Sequence, residues 1–470
     1  MLAPAMTHDH RNLVVDDPFT GDTACSLPLA DEAAVRTVLD HARAAARAFR
    51  ASSVRERAGL CERAASGLES RAEGIAEEIT RMMGKPIAQA LGEVKTCAAR
   101  ARHMIGIAED ALADVQLPAL AGFERRIVRE PLGVVFDLPA WNYPLLTAVN
   151  CIVPAVLAGN AVVVKHSPRT PLCGEHFVRA FAEAGAPDHL VQAVVCDHAM
   201  AERVVADHRV DHVVFTGSVF GGHRVVLSAA QRFLRPCLEL GGNDPAYVAP
   251  DCDLERTVES VVDGAMYNAG QSCCAVERVY VHASIYPRFV EMAEAVIRSY
   301  VMGDPQSQKT TLGPIAQPHH VAELEALVED ARAHGARVVV GGRRTAVDGR
   351  GRFFEATLIA DGEQQMRLFR QEAFGPILPV MPVRSDEEAL AKMNDSPLGL
   401  TASVWTLDRD RAAAFARSLD CGTVFMNRCD YLDPALPWSG RKDSGCGVSL
   451  SALGFDGLTR PKAVHFRLSW

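Results

Sequence analysis

Gly270-Gln271-Ser272-Cys273-Cys274 is the one place in this chain where two thiols adjoin. A free cysteine is more often a small buried hydrophobe than a reactive group. This pair, however, follows a Gly-Gln-Ser approach at the end of a helical run and precedes an apolar run from Arg278 to His282. That is a loop position, where reactive groups tend to sit. A thiol with a pKa of ~8.5 is only slightly ionised at neutral pH unless its surroundings help. Spacing does not decide which of the two reacts.

Three other segments carry groups that could serve such a nucleophile. In Leu238-Glu239-Leu240-Gly241-Gly242-Asn243 a carboxylate lies between leucines, and desolvation there would raise its pKa toward that of a general base. The plainer reading is a solvent-facing strand residue. In Pro139-Ala140-Trp141-Asn142-Tyr143-Pro144 the Asn142 amide could donate to a developing oxyanion, a contribution of ~3–4 kcal/mol where such a donor has been removed. An Asx turn is the commoner fate of an Asn near Pro. Thr216-Gly217-Ser218-Val219-Phe220-Gly221-Gly222 follows an apolar run and precedes a helical one. Glycines let a ligand approach the backbone, and a helix N-terminus offers free N–H groups to an anion. The order is not G-x-G-x-x-G, and a simple strand-to-helix turn explains it equally well. His319-His320 lacks the i, i+4 spacing of a metal pair and is read as solvated.

The elements that must hold these groups fall into a pattern. Helical periodicity covers Asp31–Arg50, Ser53–Ser70 and Ala72–Met83, with charges interleaved as on helices that cover a sheet. Strand and helix then alternate: Ala161–Val164, Cys173–Ala184, Val191–Val195, Met200–Ala206, Val213–Phe215 and Arg224–Phe233. A second round follows Gly241-Gly242, through Leu254–Gly264, Arg278–His282, Tyr286–Tyr300, Val321–His334 and Val338–Val340. Two α/β rounds imply mostly parallel sheets with helices on both faces, and two domains with a cleft between them.

Composition sets the outer limits. The 470 residues suffice for two or three domains. With 49 basic and 58 acidic side chains the net charge is −9, which argues against nucleic-acid or anionic-membrane partners. Thirteen irregularly spaced cysteines without a CxxC pair suggest neither a disulfide framework nor a zinc ribbon, and point to a reducing cytoplasm. Met1–Asp17 holds acids and histidines before any apolar run, so no signal peptide is expected. Leu138–Val164 is uncharged over 27 residues, yet its prolines and asparagines are costly in lipid. It is read as buried core containing a turn.

Taken together and in order, these pieces resemble the aldehyde dehydrogenase superfamily. The likeness runs from Glu130-Pro131-Leu132-Gly133-Val134-Val135 to Ser444-Gly445, through Pro139–Pro144, Lys165, Phe215–Ser218, Glu239–Gly242, Gly270–Cys273 and Glu372-Ala373-Phe374-Gly375-Pro376. The 34-residue offset from Glu239 to Cys273 is the family's. The resemblance implies an α/β fold with a Rossmann-like cofactor domain (1–116 and 133–239), an α/β catalytic domain (240–438) and a small β oligomerisation element (117–132 and 450–470). It implies Cys273 as nucleophile, Cys274 as a bystander, Glu239 as the base for the deacylating water, and Asn142 with the Cys273 N–H as oxyanion hole. NAD or NADP would then lie against Trp141, Lys165, Ser167, Pro168, Gly217, Ser218, Gly222, Glu372 and Phe374. Tyr143, Asn150, Ser272, Leu432 and Trp438 would line the substrate funnel.

The activity implied is oxidation of an aldehyde to the acid through a hemithioacetal and a thioester. Relatives that pass the acyl group to coenzyme A generally lack the base, so Glu239 favours hydrolysis. A CoA-acylating enzyme, a thioester hydrolase and a catalytically silent member are the alternatives. This sequence departs from the family in having Pro168 where NAD-preferring members often carry Glu, with Arg169 adjacent. That leaves NAD against NADP open. Asn150 stands where many members have Trp, and Trp438 lies within an altered Pro-Phe-Gly-Gly. The segments Leu117–Arg129 and Leu458–Trp470 read as strands pairing across a subunit interface, hence a homodimer or homotetramer; the plainer alternative is that the tail strand pairs within its own subunit.

Overall fold

The structure is a computed structural model that describes residues 12–469. Most of the N-terminal stretch read for a leader, residues 1–11, and residue 470 of the expected tail element lie outside the described residues. Four helices lead. Asp31 accepts the Ala34 N–H at 2.8 Å and starts Glu32–Phe49, and Ser53 with Glu56 forms a capping box on Val54–Glu69. Ala72–Met83 and Ile87–Ala111 follow. Their alanine-rich faces share one hydrophobic core with the first sheet.

That sheet has six strands, in the order Gly445–Cys446, Cys237–Glu239, His212–Thr216, Val134–Leu138, Ala161–Val164 and Val191–Ala193. The last five are parallel, and Gly445–Cys446 runs antiparallel at the edge. Val134–Leu138 comes first in sequence. The chain winds outward from it to one side, then returns to the other through His212–Thr216. The order therefore reverses between Val134–Leu138 and His212–Thr216, and in open parallel sheets ligands bind beyond the carboxyl ends of the strands at such a point. Asn142 follows the first of these strands, Ser218 the second, and Lys165 follows Ala161–Val164. Glu239 ends its own strand. The uncharged stretch Leu138–Val164 forms the buried helix Pro144–Leu157 between two strands, as read. Among the described residues no helix is long and apolar enough to cross a membrane.

The second sheet has seven strands, ordered Arg337–Val340, Thr357–Ala360, Ile377–Val383, Val276–His282, Asp244–Val248, Thr401–Trp405 and Thr423–Met426. All neighbours are parallel except the first pair. A core lies on each face: Tyr247 enters one while Ala246 and Val248 enter the other, as strand alternation requires.

Three expectations are corrected. The helix after the glycine turn spans Val219–Ala229, not Arg224–Phe233, because Ser218 caps it by accepting the Gly221 N–H at 3.1 Å. The tail strand Thr459–Arg467 pairs with Phe123–Pro131 of its own chain over nine residues, rather than with another subunit. A short strand, Val115–Gln116, completes that third sheet. His320 is not solvated. Its Nε2 lies 3.0 Å from both the Ala373 and Phe374 carbonyls, and its Nδ1 lies 2.8 Å from Glu323.

Candidate active site

Cys273 leaves the short 3-10 turn Tyr267–Gly270 on a backbone held in an unusual shape. Asn268, Ala269 and Gly270 take positive φ of 54°, 55° and 68°. For the two non-glycine residues this costs about 1–2 kcal/mol each, so the surroundings must enforce it. They do so through Asn268, whose Nδ2 donates to the Asn142 carbonyl and to the Gln271 carbonyl, both at 3.1 Å. Gln271 returns a bond to the Asn268 carbonyl at 3.0 Å and accepts the Ala316 N–H at 2.9 Å. One side chain thus ties the thiol loop to the peptide of the candidate oxyanion donor.

The two thiols differ. Cys273 is partly exposed and lines a cavity of about 460 Å³. Cys274 is buried, and its Sγ donates to Asp430 Oδ1 at 3.0 Å. Its side-chain hydrogen bond with Cys273 and its burial hold the Cys274 thiol well above the ordinary thiol range. Ser272 Oγ donates to the same Asp430 oxygen at 3.0 Å.

Glu239 is buried, not solvent-facing. Thr216 Oγ1 donates to it at 3.3 Å and Ser449 Oγ donates to its other oxygen. Burial raises its pKa above the usual carboxylate value, against these hydrogen bonds and the nearby Arg100 charge. Asn150 contributes a further hydrogen bond. Asn142, Glu239 and Cys273 line the same cavity, together with all five residues expected in the funnel: Tyr143, Asn150, Ser272, Leu432 and Trp438.

Two buried carboxylates that the sequence did not single out hold this frame. Glu93 accepts the Leu145 and Leu146 N–H groups at 2.8 and 3.3 Å, at the start of the helix Pro144–Leu157, and pairs with buried Lys85. Lys85 Nζ in turn sits 4.0 Å from the centre of the Tyr143 ring. A carboxylate there meets the positive end of the helix and two orphan donors. Glu277 accepts Asn243 Nδ2, Ala373 N–H and Phe374 N–H at 3.0, 2.9 and 2.8 Å. Burial pushes its pKa up to about 7. It fixes the loop bearing Glu372 and Phe374, where Phe374 has φ 51° and meets Trp141 edge-on at 5.5 Å.

Glycine is obligatory where these loops meet. A Cβ on Gly270 would sit 2.2 Å from the Gly375 carbonyl oxygen, and one on Gly242 would sit 2.4 Å from that of Cys273. Gly242 also donates its N–H to Glu372 at 3.1 Å.

The residues that follow the strands of the first sheet have side chains and backbone groups of the kinds that hold a dinucleotide. Lys165 is buried at the end of its strand and forms no ion pair among the described residues, leaving its amine for an external acceptor. Burial lowers its pKa. Ser218 and the helix behind it present an N-terminus suited to phosphate, with Gly222 packed on Leu240. Ser167 and Pro168 follow Lys165 and are half-buried. Arg169 is buried, and its guanidinium pairs with Asp16 on the far side, so it is not free to read a phosphate.

Residues 6–464 match the model of the Aldehyde dehydrogenase family. The chain is 36% identical over 451 residues to an aldehyde dehydrogenase of Paenarthrobacter nicotinovorans, covering 95% of this chain and 98% of that protein. It is 34% identical over 448 residues to a probable NADP(+) succinate-semialdehyde dehydrogenase of Synechocystis sp., covering 95% and 98%. The crystal structure of an NAD-dependent aldehyde dehydrogenase from Sinorhizobium meliloti superposes with a TM-score of 0.95 at 31% identity, covering 99% of this chain and 94% of that one.

Proposed function

The chain belongs to the aldehyde dehydrogenase family and is an NAD(P)-dependent aldehyde dehydrogenase, and we propose that it works by hydrolytic turnover, with Cys273 as nucleophile, Asn142 as oxyanion donor and Glu239 as base. The observation that carries this reading is the convergence of a partly exposed thiol, a buried amide and a desolvated carboxylate on one cavity. Cys273 adds to the aldehyde carbon, and the Asn142 amide with the Cys273 N–H stabilises the oxyanion. When bound, the nicotinamide supplies a two-electron acceptor. Oxidation of the adduct leaves a thioester on Cys273. Glu239 takes a proton from water, the hydroxyl adds to the thioester carbon, and the Cys273 thiolate departs with release of the acid.

An aldehyde panel run with NAD+ and NADP+, following reduced nicotinamide, tests this. Steady turnover should proceed without coenzyme A. Turnover that stops after one equivalent until coenzyme A is added would move the protein to the acyl-transferring class.

Lys165, Ser167 and Pro168 are assigned to the adenosine ribose, with Ser218 and the Gly217–Gly222 turn at the pyrophosphate and Glu372, Phe374 and Trp141 at the nicotinamide end. With no carboxylate at position 168 to repel a 2′-phosphate, NADP+ is accepted. Pro168→Glu should lower kcat/KM for NADP+ by about tenfold or more relative to NAD+. An unchanged NADP+/NAD+ ratio would remove this position from ribose recognition.

The domain division is 1–116 and 133–239 for cofactor, 240–438 for catalysis, and 117–132 with 450–470 for assembly. Thr459–Arg467 is the edge strand of its three-stranded sheet and Phe466 on it is exposed, which supports a homodimer or homotetramer joined there. Thirteen free cysteines support a cytoplasmic location.

A further inference from the structure

Among the buried arginines of the described residues, Arg100, on the wall of the catalytic cavity, alone combines an unpartnered Nε with the lack of a carboxylate partner; Arg169 also has an unpartnered Nε but pairs with Asp16. Arg57 gives its hydrogen bonds to Ser52 Oγ and to the carbonyls of Arg50, Ser52 and Leu157. Arg278 gives its own to Asn243, Lys392 and Met393 carbonyls and to Tyr280. Arg100, on the helix Ile87–Ala111, is 5% exposed and lines the cavity. Its Nη1 reaches Asn150 Oδ1 at 2.9 Å and the Leu146 carbonyl at 3.4 Å. Its Nε is buried without any acceptor, and among the described residues it forms no ion pair. A desolvated cation with only neutral partners and an unused donor is costly, by several kcal/mol for the ion alone. Such a cost is sustained when a ligand completes the site.

The buried cation of the cavity hydrogen-bonds to neutral groups. Arg100, Thr96 and Asn150 form one wall, from Ile87–Ala111 and Pro144–Leu157. The acids Asp263 and Asp430 also line the cavity and are engaged with Tyr300 and with Ser272 and Cys274, while a second lining cation, Arg428, is exposed and stacks on the Tyr431 ring. A guanidinium with Nε free offers the side-on fork that a carboxylate accepts.

We infer that Arg100 is a specificity residue that receives a second, anionic end of the substrate, so that the preferred substrates are short aldehydes bearing a distal carboxylate. The inference rests on the reading of Cys273 as the nucleophile of this cavity, and the test separates the two. Succinic semialdehyde and butanal are compared in the wild type, Arg100→Met and Arg100→Lys. The wild-type ratio of kcat/KM, acid over neutral aldehyde, should exceed about 30 and fall toward one in Arg100→Met, with Arg100→Lys between. A merely electrostatic role beside Glu239 would change both substrates alike and leave the ratio in place.

A second readout needs no cofactor or turnover. Succinate should slow alkylation of Cys273 by iodoacetamide in the wild type far more than butyrate does, and this difference should vanish in Arg100→Met. An unchanged ratio, or equal protection by butyrate, overturns the inference and leaves the nucleophile standing. Failure of the wild type to oxidise either aldehyde overturns both.

Discussion

Cys273→Ala is expected to lose aldehyde oxidation by about four orders of magnitude or more, while Cys274→Ala keeps most of it. Losses of that size follow removal of a covalent nucleophile. The difference between neighbours comes from their surroundings. Both cysteines line the cavity, but Cys273 is partly exposed, whereas Cys274 is buried and donates to Asp430. A thiol whose proton is held this way is a poor source of thiolate. Removing it gives up one buried hydrogen bond, about 1 kcal/mol, and leaves Ser272 on the same carboxylate. Steady-state rates of the two variants, with thermal melts to show that both fold, decide the matter. Loss of activity in Cys274→Ala with retention in Cys273→Ala would reverse the assignment.

Glu239→Gln should stop the enzyme half-way. The first equivalent of reduced nicotinamide should form, and turnover should then fall by about 10²–10⁴, the range for loss of a general base. Gln preserves the shape and can still meet the Thr216 and Ser449 hydroxyls. What it lacks is the capacity to take the proton from water. Rapid-mixing kinetics should show a burst of one equivalent per site, and mass spectrometry an acyl adduct on Cys273. Steady turnover in this variant would place the base elsewhere. The wild type adds a pH signature. Glu239 works ionised, and burial raises its pKa. Deacylation should therefore be full above that raised value and decline as the pH falls through it, at a higher pH than an exposed glutamate would give. The Gln variant should lack this limb.

Strand–helix alternation and the glycine junction made both parallel sheets legible, and the three residues proposed for catalysis stood in short segments whose chemistry survives without coordinates. The supports did not. Glu93 meets Leu145 across 52 residues and Glu277 meets Phe374 across 97. In sequence each is an ordinary glutamate in a helix or strand, and only tertiary packing turns it into an acceptor for loop N–H groups. Asn268 lay next to the thiols but carried no signal for its left-handed backbone, which is enforced by partners at Asn142 and Gln271. Arg169 looked available because it follows Pro168, and its real partner Asp16 is 153 residues away. The tail strand was recognised as a strand, but periodicity says nothing about whose strand it joins.

Ser449 and the short strand Gly445–Cys446 follow the last strand of the second sheet in the chain and return to the first sheet to reach Glu239. In a polypeptide made from its amino end, Cys273, Asn142 and Glu239 all leave the ribosome well before these residues do. The proposed base gains its buttress only when this closing stretch has been synthesised and laid against the sheet edge. Competence is therefore timed to a late moment in biosynthesis, and a nascent chain that has not yet added this stretch does not carry the finished catalyst.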